Sequence, residues 1–201
     1  MVDEKRSMIE TSFLDLLKET KFKYIKVNDI AKNAGVSRVT FYKKFRNKED
    51  LLDSIVEEFL IEVSLIFQAN IKFLDRLETL TMESVRSILQ FRVETLVSFL
   101  WDNRQKIETL TSQNSEIDLL NYMRNDFNKY LKEGVPLIFS VNYDPKTLSQ
   151  YLEYLSRGST LIVGTWIRKN FKESPNEIIE ILVNTSLPII LELYQRKRLE
   201  H

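Results

Sequence analysis

The stretch Val27-Asn28-Asp29-Ile30-Ala31-Lys32-Asn33-Ala34-Gly35-Val36-Ser37-Arg38-Val39-Thr40-Phe41-Tyr42-Lys43-Lys44-Phe45 decides how this chain folds. Ile30, Ala31 and Ala34 share one face of a short helix. Asn28 and Asp29 stand near its start, where short polar and acidic side chains suit the exposed backbone amides. Gly35 ends that helix by accepting a positive φ. Ser37 is the N-cap of a second short helix, which the spacing carries to about Phe45. Ile30, Val36, Phe41 and Phe45 form an apolar wedge between the two helices, and Ala31 is small where they approach. Two short helices meeting at a tight turn make a helix-turn-helix, whose second helix enters the DNA major groove. The outward residues of that helix, Arg38, Thr40, Tyr42, Lys43 and Lys44, can reach base edges and phosphates.

The charge distribution points the same way. Net charge is zero over the whole chain, yet residues 21–48 hold nine Lys and Arg against Asp29 alone, a local +8. Residues 1–20 carry −2 and residues 49–201 carry −6. A basic module joined to an acidic body is the asymmetry of a polyanion-binding head. On charge alone a merely solvated lysine-rich face fits equally well, and for Lys21, Lys23 and Lys32 that alternative stays open.

Outward from the motif the pattern stays helical. Ile9, Phe13, Leu16 and Leu17 line a preceding helix, and Asn47-Lys48-Glu49-Asp50 opens a following one with Leu51, Leu52, Ile55 and Phe59 on one side. Met82–Leu100 reads as one span. Ser115 with Asp118 signals another, running towards Lys132 and stopped by Gly134 and Pro136. Asp144-Pro145 and Ser174-Pro175 start the last two helices, with proline at the first helical position. Pro188 falls inside the last of these and is expected to kink it. Gly and Pro number only 8 of 201 residues, too few for the turns of a sandwich or barrel. The expected fold is all-α, with about nine helices.

Composition removes several chemistries. There is no cysteine, and His201 is the only histidine. Leu199-Glu200-His201 reads as a tag remnant, which leaves no histidine for acid/base catalysis, triads or metal ligation. No glycine-rich phosphate loop or metal-spaced carboxylate cluster occurs, so an enzyme is not expected, nor any cofactor. Apolar runs are far too short for a membrane span, and the N-terminus has no apolar signal core, so a cytoplasmic location is expected.

Ile30-Ala31, Ala34-Gly35-Val36-Ser37, Thr40-Phe41-Tyr42, Phe45 and Asn47-Lys48-Glu49-Asp50-Leu51-Leu52 together resemble the DNA-binding domain of the TetR family of bacterial transcriptional regulators. The resemblance runs from about residue 8 to residue 53. It implies a helix-turn-helix domain over residues 1–48, a helical effector-binding and dimerisation domain over 49–198, and the tag remnant at 199–201. By resemblance Arg38 reads guanine and Val39 a thymine methyl, while Thr40 reaches a base or phosphate. Tyr42, Lys43 and Lys44 bind phosphate, Lys48 anchors the backbone beside a helix start, and Ser37 and Asn28 complete the interface. Lys26 is also counted among the expected DNA contacts; it stands where the family often has a capping threonine, so the second helix is expected to be capped by Asn28 or less well.

One helix-turn-helix covers only one half-site, so specific binding is expected to need a two-fold dimer with half-sites roughly 34–36 Å apart. Tyr151, Gly158, Leu161, Ile178, Leu182, Ile189 and Leu193 are the expected dimer contacts in the last two helices. Phe91, Arg92, Tyr122, Phe127, Tyr130 and Trp166 are candidates for an effector pocket, although aromatics at helical spacing are most often plain core. The expected function is a ligand-responsive repressor that binds a palindromic operator in double-stranded DNA as a homodimer, its effector an unknown small molecule. The alternative is a regulator of the same fold, activator or adaptor, controlled by a partner protein.

Overall fold

Short polar side chains set most of the helix boundaries. Asp3 caps α1 (Glu4–Glu19) by accepting from Arg6 N, Ser37 caps α3 (Arg38–Tyr42) by accepting from Thr40 N, and Thr81 caps α5 (Met82–Asp102) by accepting from Ser84 N. Asn47 Oδ1 accepts from Asp50 N at 2.7 Å at the start of α4 (Lys48–Leu74). Each cap satisfies an amide that the helix itself leaves open. The 3-10 turn Phe22–Tyr24 and α2 (Val27–Asn33) lie between α1 and α3. Then follow α6 (Arg104–Thr111), α7 (Leu119–Phe139), α8 (Pro145–Arg168) and α9 (Pro175–Arg198). The computed structural model describes the backbone of residues 3–74, 81–139 and 143–198, and the side chains of 3–69, 81–133 and 143–193. Among the described residues the fold is all-α, with nine α-helices and no strand. Leu199-Glu200-His201 lies outside the described residues.

Both proline starts form as expected. Asp144 Oδ1 accepts from Lys146 N and Thr147 N, and Ser174 pairs reciprocally with Glu177, a capping box. Other expectations need correction. The third helix stops at Tyr42 rather than Phe45. Ser115 does not cap α7: its hydroxyl turns back to the carbonyls of Leu110 and Ser112, and the helix starts at Leu119. Gly134 and Pro136 do not stop α7, which continues to Phe139. Propensity is a weak prior, and an interior proline costs a helix one backbone bond without forbidding it. α6 was not expected at all. Pro188 lies inside α9.

The chain divides into two compact units. The first extends to Ile61 and takes in Gln105–Leu119; the second comprises Glu62–Arg104 and the chain from Leu120 onward. In the first, Ile9, Phe13, Leu17, Ile30, Phe41, Leu51, Ile107 and Leu110 are fully buried. Each such side chain contributes about 1.5–3 kcal/mol on leaving water. In the second, α9 packs on α5 and α8. Tyr143, Leu148, Leu152 and Leu193 form one core cluster there. Val85 centres another with Ile88, Leu187, Ile190 and Leu191. Among the described residues no helix is long and apolar enough to cross a membrane.

Candidate nucleic-acid interface

The turn between α2 and α3 is closed by two backbone bonds. Val36 N donates to Ala31 O at 2.9 Å and Gly35 N to Lys32 O at 3.1 Å, with Gly35 at φ 65. This is the Schellman stop, which satisfies the last carbonyls of α2 and turns the chain sharply. Phe41 then enters the core at 0% exposure and stacks edge-on with Tyr42 and at a tilt on Phe45. With Phe41 anchored inward, its helical neighbours must face out. Val39 is 65% exposed and Tyr42 49%, and Arg38 and Lys43 are exposed. The Arg38 guanidinium lies 6.0 Å from the centre of the Tyr42 ring, a cation–π contact at the outer limit of reach. An exposed apolar side chain between two donors is what reading a thymine methyl beside hydrogen-bonded bases requires.

The remaining expected contacts fall into two groups. Ser37 is exposed and Thr40 half-buried, their hydroxyls 2.9 Å apart. Asn28 and Lys26 are exposed; Lys26 occupies the N-cap position of α2 and makes no side-chain capping bond, and Asn28 sits inside the helix. Lys44 and Lys48 instead have partners within the protein. Lys44 Nζ pairs with Asp3 at 2.5 Å, tying the exit of α3 to the start of α1 and holding the Asp3 carboxyl below its ordinary pKa. Lys48 Nζ donates to the carbonyls of Phe22 at 2.8 Å and Ile25 at 3.0 Å, and lies 4.5 Å from the centre of the Phe22 ring. Two of its three protons are therefore committed to the 3-10 turn.

Sequence reasoning missed several supporting groups. Arg6 bonds Glu10, Ser54 and Glu58 and lies over the Phe45 ring, so it holds α1, α4 and the end of the motif together. Burial pushes the Glu10 carboxyl above its usual range. Arg46 is exposed and bonds Asp50, which lowers the Asp50 carboxyl. Ser12 Oγ, buried, donates to Ile30 O at 2.8 Å. Asn114, far downstream, bonds the end of α1. Only Arg6–Glu10 and Arg46–Asp50, both at i,i+4 spacing, carry a local signal; every other partner is distant in sequence.

Two of the effector candidates lie together. Phe127 and Tyr130 stack at 6.3 Å and both contact Phe67, at 4.9 and 5.2 Å. Trp166 is 1% exposed, stacks on Trp101 and donates its indole N–H to Glu173 O, so it belongs to the core. Phe91 and Tyr122 are exposed, and the Arg92 guanidinium lies over Phe91. The interface candidates also divide. Ile178, Leu182 and Leu193 are at most 4% exposed within the single chain, so they brace it rather than offer free surface. Tyr151, Gly158 and Ile189 are half-buried, and Leu161 is 64% exposed.

Comparison with known proteins bears directly on these helices. The family model described as bacterial regulatory proteins, tetR family, matches residues 14–55, and one described as transcriptional regulator C-terminal region matches residues 87–187. The chain is 35% identical over 86 residues to the HTH-type transcriptional regulator EthR of Mycolicibacterium smegmatis, covering 43% of this chain and 37% of that protein. It is 36% identical over 58 residues to the dhaKLM operon transcriptional activator DhaS of Lactococcus lactis, covering 29% of this chain and 31% of that one. These matches span about a third of the length of the curated relatives. The fold is also that of FadR from Bacillus subtilis, solved with stearoyl-CoA, at a TM-score of 0.57 and 21% identity over 88% of this chain and 97% of that one. An N-terminal match that covers α2 and α3, and a second match over the helical body, make this chain a member of the TetR family of DNA-binding transcriptional regulators.

Proposed function

We propose that the chain is a cytoplasmic, ligand-responsive repressor that binds a palindromic operator as a homodimer. Residues 1–48 read DNA, and residues 49–198 bind the effector and form the dimer. The observation that carries the reading is α3: Phe41 is buried while Arg38, Val39, Tyr42 and Lys43 face solvent together. Arg38 and Val39 read bases; Tyr42, Lys43, Lys26 and the unspent proton of Lys48 grip phosphates.

One α3 covers one half-site, so specific binding needs a second copy. Tyr154 and Leu161 on α8 and Ile181 on α9 are exposed apolar side chains, and a Cβ at Gly158 would meet nothing within 4 Å. These residues support an α8/α9 pairing between copies, with Leu161 the best of the expected contacts. For the effector, the Phe67–Phe127–Tyr130 group and the Asn128–Ser156 hydrogen bond offer apolar walls beside a polar anchor. The stearoyl-CoA held by the Bacillus subtilis neighbour makes long-chain acyl-CoA the first effector to test. α4 has residues in both units, so an effector that favours one setting of this helix shifts the population of DNA-competent dimers.

Duplexes selected from a random library by the purified chain test this directly. The expected product is a two-fold site bound by two chains, with affinity lowered by stearoyl-CoA at constant dimer mass. A site lacking two-fold symmetry, or one chain per duplex, contradicts the proposal. The activator reading is favoured by the description of the Lactococcus lactis relative, and transcription from the selected site, raised or lowered by the protein, decides the sign.

A further inference from the structure

Asn114 lies between α6 and α7, in the segment that belongs to the first unit. Its Nδ2 donates to Leu17 O at 3.1 Å and Lys18 O at 3.0 Å, and its backbone carbonyl accepts from Phe22 N at 2.7 Å. Leu17 O and Lys18 O are among the last carbonyls of α1, which find no partner inside the helix. Chemistry fixes the amide orientation, because the reverse would set Oδ1 against two carbonyl oxygens. The connector carrying Asn114 is itself tied down. Ser115 Oγ, buried, donates to Leu110 O and Ser112 O, Asn114 N donates to Ser112 Oγ, and Glu116 is held at φ 61. A positive φ at Glu persists only where the surroundings over-determine it. From the other side, Lys48 holds the carbonyls of Phe22 and Ile25. The turn that delivers the chain into α2 is thus gripped between Asn114 and Lys48.

We propose that Asn114 is a positioning residue for DNA binding. It lies 76 residues beyond Arg38, outside the helix-turn-helix, and sets the end of α1 and the Phe22–Tyr24 turn from which α2 and α3 start. The inference rests on the DNA-binding reading above.

The test compares full-length wild type, Asn114→Ala and Asn114→Asp, the last being of similar size but unable to donate. Hydrogen exchange is read over Leu16–Ile25, and affinity is measured for a duplex selected by the wild type. Both variants should exchange there about tenfold faster and bind the duplex roughly five- to tenfold more weakly. Base preference and the slope of log affinity against log salt should not change for Asn114→Ala, since no charge or reading side chain is removed. A purely structural role would lower the thermal midpoint and leave the affinity of the folded fraction at the wild-type value, which overturns the proposal. So does wild-type exchange over Leu16–Ile25 in both variants. A wild type that selects no duplex overturns the DNA-binding reading and the proposal with it; faster exchange in the variants would then show that Asn114 holds the turn without serving DNA binding.

Discussion

α2 and α8 end with the same device and lead to opposite outcomes. At α2 the Schellman bonds run from Val36 N and Gly35 N, with Gly35 at φ 65. At α8 they run from Phe171 N to Trp166 O and from Asn170 N to Ile167 O, with Asn170 and Phe171 both at φ 53. The first stop turns the chain so that α3 presents its outer side chains to solvent. The second drives Phe171, 4% exposed, against Trp166 at 4.7 Å and Trp101 at 6.3 Å. Local backbone chemistry therefore decides that a helix ends; the next side chain decides whether the turn builds a surface or a core. The left-handed position is Gly35 at α2 and Asn170 at α8, where a second left-handed residue, Phe171, follows. A phenylalanine in the left-handed region needs the packing of two indoles to offset its strain.

The largest effect expected from this contrast is at Phe171. Phe171→Ala should cost about 3–5 kcal/mol in urea unfolding, because it empties an aromatic site against Trp166 while keeping the strained backbone. Phe171→Gly loses the same ring but relieves the backbone, so it should be less damaging than alanine by about 1 kcal/mol. Equal losses would mean that φ 53 carries no strain. Trp101 and Trp166, the only two tryptophans, report the transition by fluorescence.

Next comes the first unit. Lys48→Met removes the donor from the Phe22 and Ile25 carbonyls and should cost about 1–3 kcal/mol in stability without DNA present. An unchanged melting curve would return Lys48 to phosphate binding alone. Gly35→Ala should cost about 1–2 kcal/mol from the positive φ alone, since a Cβ there meets nothing within 4 Å. Gly35→Asn should cost less, and a larger loss for Asn than for Ala would show that space rather than backbone conformation demands glycine.

The smallest effect is the response to acid. Lys44 and Arg46 hold the Asp3 and Asp50 carboxyls below their unfolded values. Their contribution is therefore present above the ordinary carboxylate range and is lost as pH falls through the depressed folded values. Glu10 has the opposite sign: its raised carboxyl costs stability at neutral pH and returns it as pH falls through that raised value. Asp3→Asn should flatten the acid limb of the stability profile, and Glu10→Gln should remove the gain near the upper end of the carboxylate range. Unchanged profiles in both variants would contradict the assigned ion pairs.

The helix-turn-helix was legible because its determinants are local. Gly35, Ser37 and the spacing of Ile30, Phe41 and Phe45 act within a few residues, and each performs its expected role. The two proline starts were legible for the same reason. α6 was not, because a single eight-residue helix carries too little periodicity, and Ile107 and Leu110 show as core only once their segment joins the first unit. The internal commitments of Lys44 and Lys48 were hidden because the lysine at each site looks the same whether it meets phosphate, carbonyl or carboxylate. Asn114 bonds residues 96 and 97 positions upstream, beyond any spacing rule. In the second unit aromatic residues pack by shape, so helical spacing alone, which favoured core for any one of them, did not single out Trp166 as core rather than pocket wall.

The most direct test of the central claim is the affinity of wild type and Arg38→Ala for a selected duplex and for single-base variants of it. Arg38→Ala should lose about 1–3 kcal/mol and its preference at one base position per half-site, with an unchanged melting temperature. Binding by Arg38→Ala that matches wild type in strength and in preference at every position would contradict the assignment of α3 as the reading helix.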